Sequence, residues 1–350
     1  MSQKALILKE IGTPLVLTDR PIPVPGENEL LVKITSAGLN PHDHRSRDWG
    51  LFVADLPYIP AHDIAGKVLA VGPGDGAAKF HVGEHVYAQA RMPLDQVFID
   101  FHGLQEFALV DVRLAAKIAD TGLTDDEAAT IPVNVASLFV ALFHHTGLGL
   151  PIPGTEEAKA TDLSDEAILI IGAGSNCGRA GVEFARMAGF GTIIAHAGPS
   201  NEEELRAMGA THFVNRHASN VLDQIRFIVG DDLLYALDVV NFGPQQGLGI
   251  AALSNSKKGT LVTLLPTDGE LDISEIGPKE AGFDRRMTFG KMAIIPEFAP
   301  EFWNRISQWL KEGRISPGKF KVMEGLDADK VNEVLDLYRD GRGVKVHIHP

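Results

Sequence analysis

Residues 167–197 hold the segment that most restricts how this chain can fold. A five-residue apolar run, AILII, leads into the turn Gly172-Ala-Gly-Ser-Asn-Cys-Gly178. A helix-period stretch follows, with small or apolar residues at Cys177, Ala180, Gly181, Phe184, Ala185 and Ala188, and then a second apolar run, TIIAHA. Strand, glycine turn, helix and strand in that order predict a dinucleotide-binding βαβ unit in mid-chain. Gly172 and Gly174 leave room for a pyrophosphate to approach the helix N-terminus, where unpaired N–H groups and the helix dipole favour an anion. Gly178 and Gly181 are expected to let the helix pack closely on the sheet. The spacing is GxGxxxG, one residue longer than the commonest form.

The regions on either side differ in texture. Short alternating runs (LVLTDRP, ELLVKITSAG, GKVLAVG, EHVYAQA, EFALVDV) broken by Pro and Gly predict an all-β unit over the first 120 residues or so. Thr124 and Glu127 form a capping box that opens a helical stretch toward Phe143, interrupted by Pro132. A Pro-, Gly- and acid-rich connection over 146–166 precedes the nucleotide-binding strand. Beyond it the pattern predicts a helix over 202–208 and strands at 212–215, 233–240 and 259–265, an alternation that specifies a parallel sheet with helices on both faces. The tail reads as helices around 301–312 and 327–339 and a closing strand at 344–348.

Composition narrows the partners. The formal net charge of −14 argues against nucleic acid and anionic membrane surfaces. No apolar run approaches the roughly 20 residues that span a bilayer, and MSQKALILKEIG lacks a signal-peptide pattern. The single cysteine, Cys177, forbids an internal disulfide and a cysteine-based zinc cluster. A cytoplasmic, reducing compartment is the expectation, as monomer or homodimer.

Over nearly the whole chain the motifs resemble the medium-chain dehydrogenase/reductases: PGENELLVK at 25–33, AGLNPHD at 37–43, IPAHDIAG at 59–66, GLQEF at 103–107, MGATH at 208–212 and GRGVK at 341–345. The LGLPIP connection and the Asn40-Pro41-x-Asp43 element are most similar to the zinc-free branch of quinone reductases and fungal trans-acting enoyl reductases. The resemblance implies an α/β fold in two domains. It further implies that residues 1–130 with 291–350 make a GroES-like, β-rich catalytic domain and residues 131–290 a Rossmann-type doubly wound cofactor domain, with the active site expected in the cleft between them.

The resemblance also places the site residues. The three zinc-ligand positions of zinc-dependent relatives match Asn40, His62 and Val133, so one ligand of three remains and no metal is expected; His62, Asp63 and His42 are the residual route. Without a Lewis acid, hydride delivery to a conjugated C=C (enone, enal, quinone or enoyl thioester) is favoured. Its charge develops as an enolate, whereas an isolated carbonyl develops an alkoxide. A role in secondary metabolism is part of what the resemblance implies.

His42, His62 and Asn40 are the expected catalytic donors. The tyrosine of a Gly-Leu-Tyr turn in some relatives is Phe52 here. Asp43 and Asp63 read as local backbone-bonding groups. Nucleotide contacts are expected from Gly172, Gly174, Ser175, Asn176, Cys177 and Gly178, from Ala197, Gly198, Ser200 and Asn201, and from Arg216 and Leu265. No acid at Ala197 opposes a 2′-phosphate, so NADPH is expected, with NADH as the alternative. Phe52, Tyr58, Val133, Ile294 and Phe298 are expected to line an apolar substrate pocket. A carbonyl or alcohol oxidoreductase and a non-catalytic NADPH-binding protein are the rival readings.

Overall fold

The computed structural model describes every residue except 92–98 and 272. The chain forms two compact units, one from Met1–Val133 with Lys291–Pro350 and the other from Asn134–Gly290.

The first segment contributes β1 (Ser2–Ile7), β2 (Val16–Pro21), β3 (Glu29–Gly38), α1 (Pro41–Trp49), β4 (Asp63–Val71), β5 (His85–Gln89), β6 (Phe107–Asp111), β7 (Ala115–Lys117) and α2 (Asp125–Ala128). α1 interrupts the expected all-β stretch. Its start is written in the sequence: Pro41 occupies the first turn, where no N–H is needed, and the Asn40 N–H donates to Asp43 Oδ2 at 2.7 Å. The Thr124–Glu127 capping box forms, but α2 stops at Ala128, four residues before Pro132.

In the second unit α3 (Asn134–Phe143), α4 (Glu156–Ala160), β8 (Ala167–Ile171), α5 (Asn176–Ala188), β9 (Thr192–Ala197), α6 (Glu202–Met208), β10 (His212–Asn215), α7 (Val221–Val229), β11 (Tyr235–Asp238), α8 (Gly247–Ala252), β12 (Gly259–Thr263), α9 (Ile273–Ile276) and β13 (Phe283–Met287) follow one another. The strands form a six-stranded parallel sheet in the order β10-β9-β8-β11-β12-β13. β8, the first strand in sequence, is central, so the connections reverse direction beside it; this is the doubly wound arrangement. All five β8 residues are buried, as a central parallel strand requires. α3 covers α5 through Phe139 and Phe143 against Phe184, with ring centroids 5.9 and 5.5 Å apart.

The chain then returns to the first unit with α10 (Ala299–Lys311), β14 (Lys321–Glu324), α11 (Ala328–Arg339) and β15 (Val346–His349). β15 pairs with β3, and the sheet runs β14-β15-β3-β4-β5-β7 with β6 also on β3, so both chain ends build one body. Its core joins Leu30, Val32, Ile34, Ile64 and Val86 of the strands to Val331 and Leu335 of α11. Each such side chain contributes about 1.5–3 kcal/mol on burial. No helix among the described residues is long and apolar enough to cross a membrane.

Candidate functional site

In the second unit a cavity of ≈ 440 Å³ opens at the C-terminal ends of β8 and β9, beside the point where strand order reverses. This is where doubly wound sheets bind nucleotides. Gly172 has φ +82°, a conformation side chains resist, and a Cβ on Gly178 would sit 2.2 Å from the Gly172 carbonyl oxygen. The turn therefore closes on itself only with glycine at both positions. Ser175 caps α5, its hydroxyl accepting from the Gly178 N–H at 3.0 Å. Gly181 faces Leu138 of α3 as well as the sheet residues Ile170 and Leu237.

Of the expected nucleotide contacts, Gly172, Gly174, Ser175, Ala197, Gly198, Ser200, Asn201 and Arg216 line this cavity. Asn176, Cys177 and Gly178 instead form the first turn of α5, with the Cys177 thiol donating to Asn134 Oδ1. Leu265 follows β12 and is not among the lining residues. Two lining histidines went unnoticed in the sequence, His196 and His217. His196 is 9 % exposed, neither ring nitrogen has a partner among the described residues, and burial with Arg216 and His217 nearby lowers its pKa to about 4. The Arg216 N–H is tied to the Ala197 carbonyl at 2.9 Å, which carries its exposed side chain to the cavity edge.

The first unit holds a different kind of site. The Asp43 carboxylate accepts from the N–H groups of Asn40 and Ala61, joining the start of α1 to the segment before β4. Ala61, at φ +68°, is fixed in that strained region by this bond and by its carbonyl, which accepts from Gly103 N–H at 2.8 Å. The clamp brings together side chains far apart in sequence. His42 Nε2 lies 2.6 Å from His62 Nδ1, and Tyr58 Oη lies 2.7 Å from His62 Nε2. His102 packs edge-on against both His62 and Tyr58 and bonds the Ile59 carbonyl at 2.5 Å. His42, 17 % exposed, is the outer end of this chain; His62 is fully buried.

Burial sets the protonation. It lowers the pKa of His42 to about 3 and of His102 to about 4, pushes that of His62 well below its ordinary value, and raises that of the Tyr58 hydroxyl. All three imidazoles are therefore neutral near pH 7, each ring able to donate through one nitrogen and accept through the other. The Asp43 carboxyl is pushed up to about 7, again mainly by burial.

Asn40 belongs to a neighbouring network. Its amide donates to Asp63 at 2.7 Å and accepts from Lys345 Nζ at 3.0 Å. Asp63 also takes Lys345 Nζ at 2.5 Å and the Val133 N–H at 2.7 Å. Asn40 thus stands in a buried ion-pair network with Asp63 and Lys345. Val133 contributes its backbone N–H to the same network. Among the other expected lining residues, Phe52 lies edge-on to His42 at 5.8 Å, whereas Ile294 is exposed on a short 3-10 turn and Phe298 precedes α10.

A zinc ion finds little room as these groups stand. The donor set that comes together is His42, Asp43 and His62 rather than the expected one with Asp63. Tetrahedral zinc holds its nitrogens at about 2.0–2.1 Å and so about 3.3 Å apart. The two facing nitrogens here are hydrogen-bonded at 2.6 Å, the other His62 nitrogen is bonded to Tyr58, and both Asp43 oxygens take backbone N–H groups. These residues do not fit the metal in this arrangement.

A doubly wound nucleotide unit joined to a β-rich unit built from both chain ends defines a dinucleotide-dependent oxidoreductase. Comparison with known proteins agrees: residues 26–120 match the alcohol dehydrogenase GroES-like domain. The trans-enoyl reductase tazE of Aspergillus terreus is 31 % identical over 235 residues, 66 % of this chain and 74 % of that protein. A zinc-type alcohol dehydrogenase-like protein of Schizosaccharomyces pombe is 27 % identical over 92 % of both chains. Among solved structures, the CurK enoyl reductase superposes with a TM-score of 0.77 at 20 % identity, covering 99 % of each chain. The chain belongs to the medium-chain dehydrogenase/reductase superfamily, in its enoyl-reductase-like branch, and is an NAD(P)H-dependent oxidoreductase.

Proposed function

We propose that the protein is a zinc-independent, NADPH-dependent reductase of conjugated acceptors: an enone, enal, quinone or enoyl thioester with a small apolar body. The observation that carries this reading is the Tyr58–His62–His42 hydrogen-bonded chain, whose ring nitrogens and hydroxyl are engaged with one another rather than open to a metal. A neutral relay of this kind supports a charge spread over an enolate better than a localised alkoxide, which loses about 2.7–4 kcal/mol when a single oxyanion donor is missing. The names of the trans-enoyl reductase relatives point the same way.

When bound, the reduced dinucleotide supplies the hydride. The N-terminus of α5, reached across the glycine turn, would favour its pyrophosphate through the helix dipole. Arg216 and Ser200 both line the cavity, Arg216 offering a cation to a 2′-phosphate, and no carboxylate lines it among the described residues. Those two facts support NADPH over NADH. The neutral His196 offers a hydrogen bond within the same cavity without adding charge.

The test is product identity. Metal-stripped protein, NADPH and (E)-2-hexenal are expected to give hexanal at an unchanged rate when zinc is added back. 2-Hexenol as product would establish carbonyl reduction instead, and activity that appears only with zinc would overturn the zinc-independent mechanism.

A further inference from the structure

Three lysines among the described residues are buried, and their surroundings differ. Lys345 is held by Asp63 and Asn40, and Lys279 donates to the carbonyls of Ala251 and Leu253. Lys291, 6 % exposed, has no oxygen partner among the described residues; its Nζ lies over the Phe52 ring, 3.2 Å from the centroid. Phe52 is itself held at φ +67° and packs on His42, so the ammonium sits one ring away from the Tyr58–His62–His42 chain. An unpaired buried cation costs several kcal/mol unless something anionic visits it, and a cation–π contact of about 2 kcal/mol offsets only part of that.

We propose that Lys291 is the catalytic acid of the reduction, binding the enolate oxygen and delivering the proton that completes the product. The inference rests on the reading of the chain as a reductase of conjugated acceptors. Hydride adds to the β-carbon, the C=C π pair shifts onto the carbonyl oxygen, and the ammonium faces the resulting charge. One N–H bond of Nζ then breaks as its proton forms the C–H bond at the α-carbon; the neutral amine regains a proton from water. The acceptor has gained one hydride and one proton.

The titratable groups that interact electrostatically with Lys291 are His42 from α1, His62 just before β4 and His102 from the loop before β6, all neutral near pH 7; Asp63, Lys345 and Arg45 also act on His42. Burial, with no acid to offset it, lowers the lysine to about 7, where a proton donor works well at neutral pH.

The experiment uses the full-length protein saturated with NADPH and 2-methyl-2-pentenal in D₂O, comparing wild type, Lys291→Met and Lys291→Arg. Wild type is expected to lose activity tenfold per pH unit above about 7 and to place the α-deuteron on one face. Lys291→Met, which keeps the aliphatic stem over Phe52, is expected to bind NADPH normally, to fall about 10²–10⁴-fold in kcat, to lose the alkaline limb and to give both α-epimers. Lys291→Arg is expected to recover part of the rate without that limb. A Lys291→Met variant matching wild type in rate, limb and epimer overturns the assignment while leaving the reductase reading intact. If Lys291→Met fails to bind NADPH, the wild-type limb and epimer decide: a flat profile or mixed epimers overturns the assignment. Wild type inactive on the alkenal overturns the reductase reading and the role of Lys291 with it.

Discussion

The nucleotide cavity and the Tyr58–His62–His42 cluster are built by opposite strategies. The cavity comes from one contiguous βαβ unit whose shape is set by what glycine permits, such as the 2.2 Å between a hypothetical Gly178 Cβ and the Gly172 oxygen. The cluster comes from side chains at 42, 52, 58, 62, 102 and 291, held by buried hydrogen bonds and a cation–π contact, with the Lys345–Asp63 ion pair beside it. Backbone geometry makes the first robust and local; the second depends on polar groups that are costly when left unpaired.

That contrast can be broken experimentally. The largest effect is expected at Lys345→Met, which leaves Asp63 buried without its cation and should cost about 3–5 kcal/mol of stability, read as a lowered denaturant midpoint of the first unit. Next, Arg216→Ala should weaken NADPH binding by about 1.5–3 kcal/mol, roughly 10- to 150-fold, while leaving NADH affinity unchanged; equal losses for both nucleotides would remove the 2′-phosphate role. Gly178→Ala should cost about 1–3 kcal/mol through overpacking and reduce binding of both nucleotides alike.

The smallest expected effect is on pH dependence. His42 and His102, with folded pKa values near 3 and 4, bind fewer protons folded than unfolded, where histidine titrates near 6.5. Their contribution to stability is thus complete above about pH 6.5 and declines as pH falls toward 4. Asp43, raised to about 7, binds more protons when folded and opposes this trend throughout the same window. Urea midpoints between pH 4 and 7 should fall less steeply for His102→Gln than for wild type; parallel curves would show that His102 is not held neutral by burial.

Much of the fold was legible because its signals are local. The all-buried β8 run, the glycine turn, and the α6 helix ending at Gly209 lie where their sequence pattern places them. Most of the cavity lining was legible for the same reason, including Arg216, which follows the third strand of the unit. α1 was missed although Asn40, Pro41 and Asp43 announce a helix start, because the surrounding alternation of short strands dominated the pattern. Asn40 and His62 were both singled out, yet sequence alone could not show that Asn40 faces Lys345 while His62 faces His42, since these pairings span 305 and 20 residues. Lys291 carried no local signal at all. Its significance lies in burial with no oxygen partner among the described residues, which exists only once the chain has folded.

The destination of the hydride separates alkene reduction from carbonyl reduction. With (4-²H)-NADPH labelled on the transferred face and (E)-2-hexenal as acceptor, the product is expected to be hexanal carrying deuterium at C3. Deuterium at C1 of an allylic alcohol would contradict the account, because it would place hydride on the carbonyl carbon and leave the neutral histidine chain without the enolate it is argued to serve.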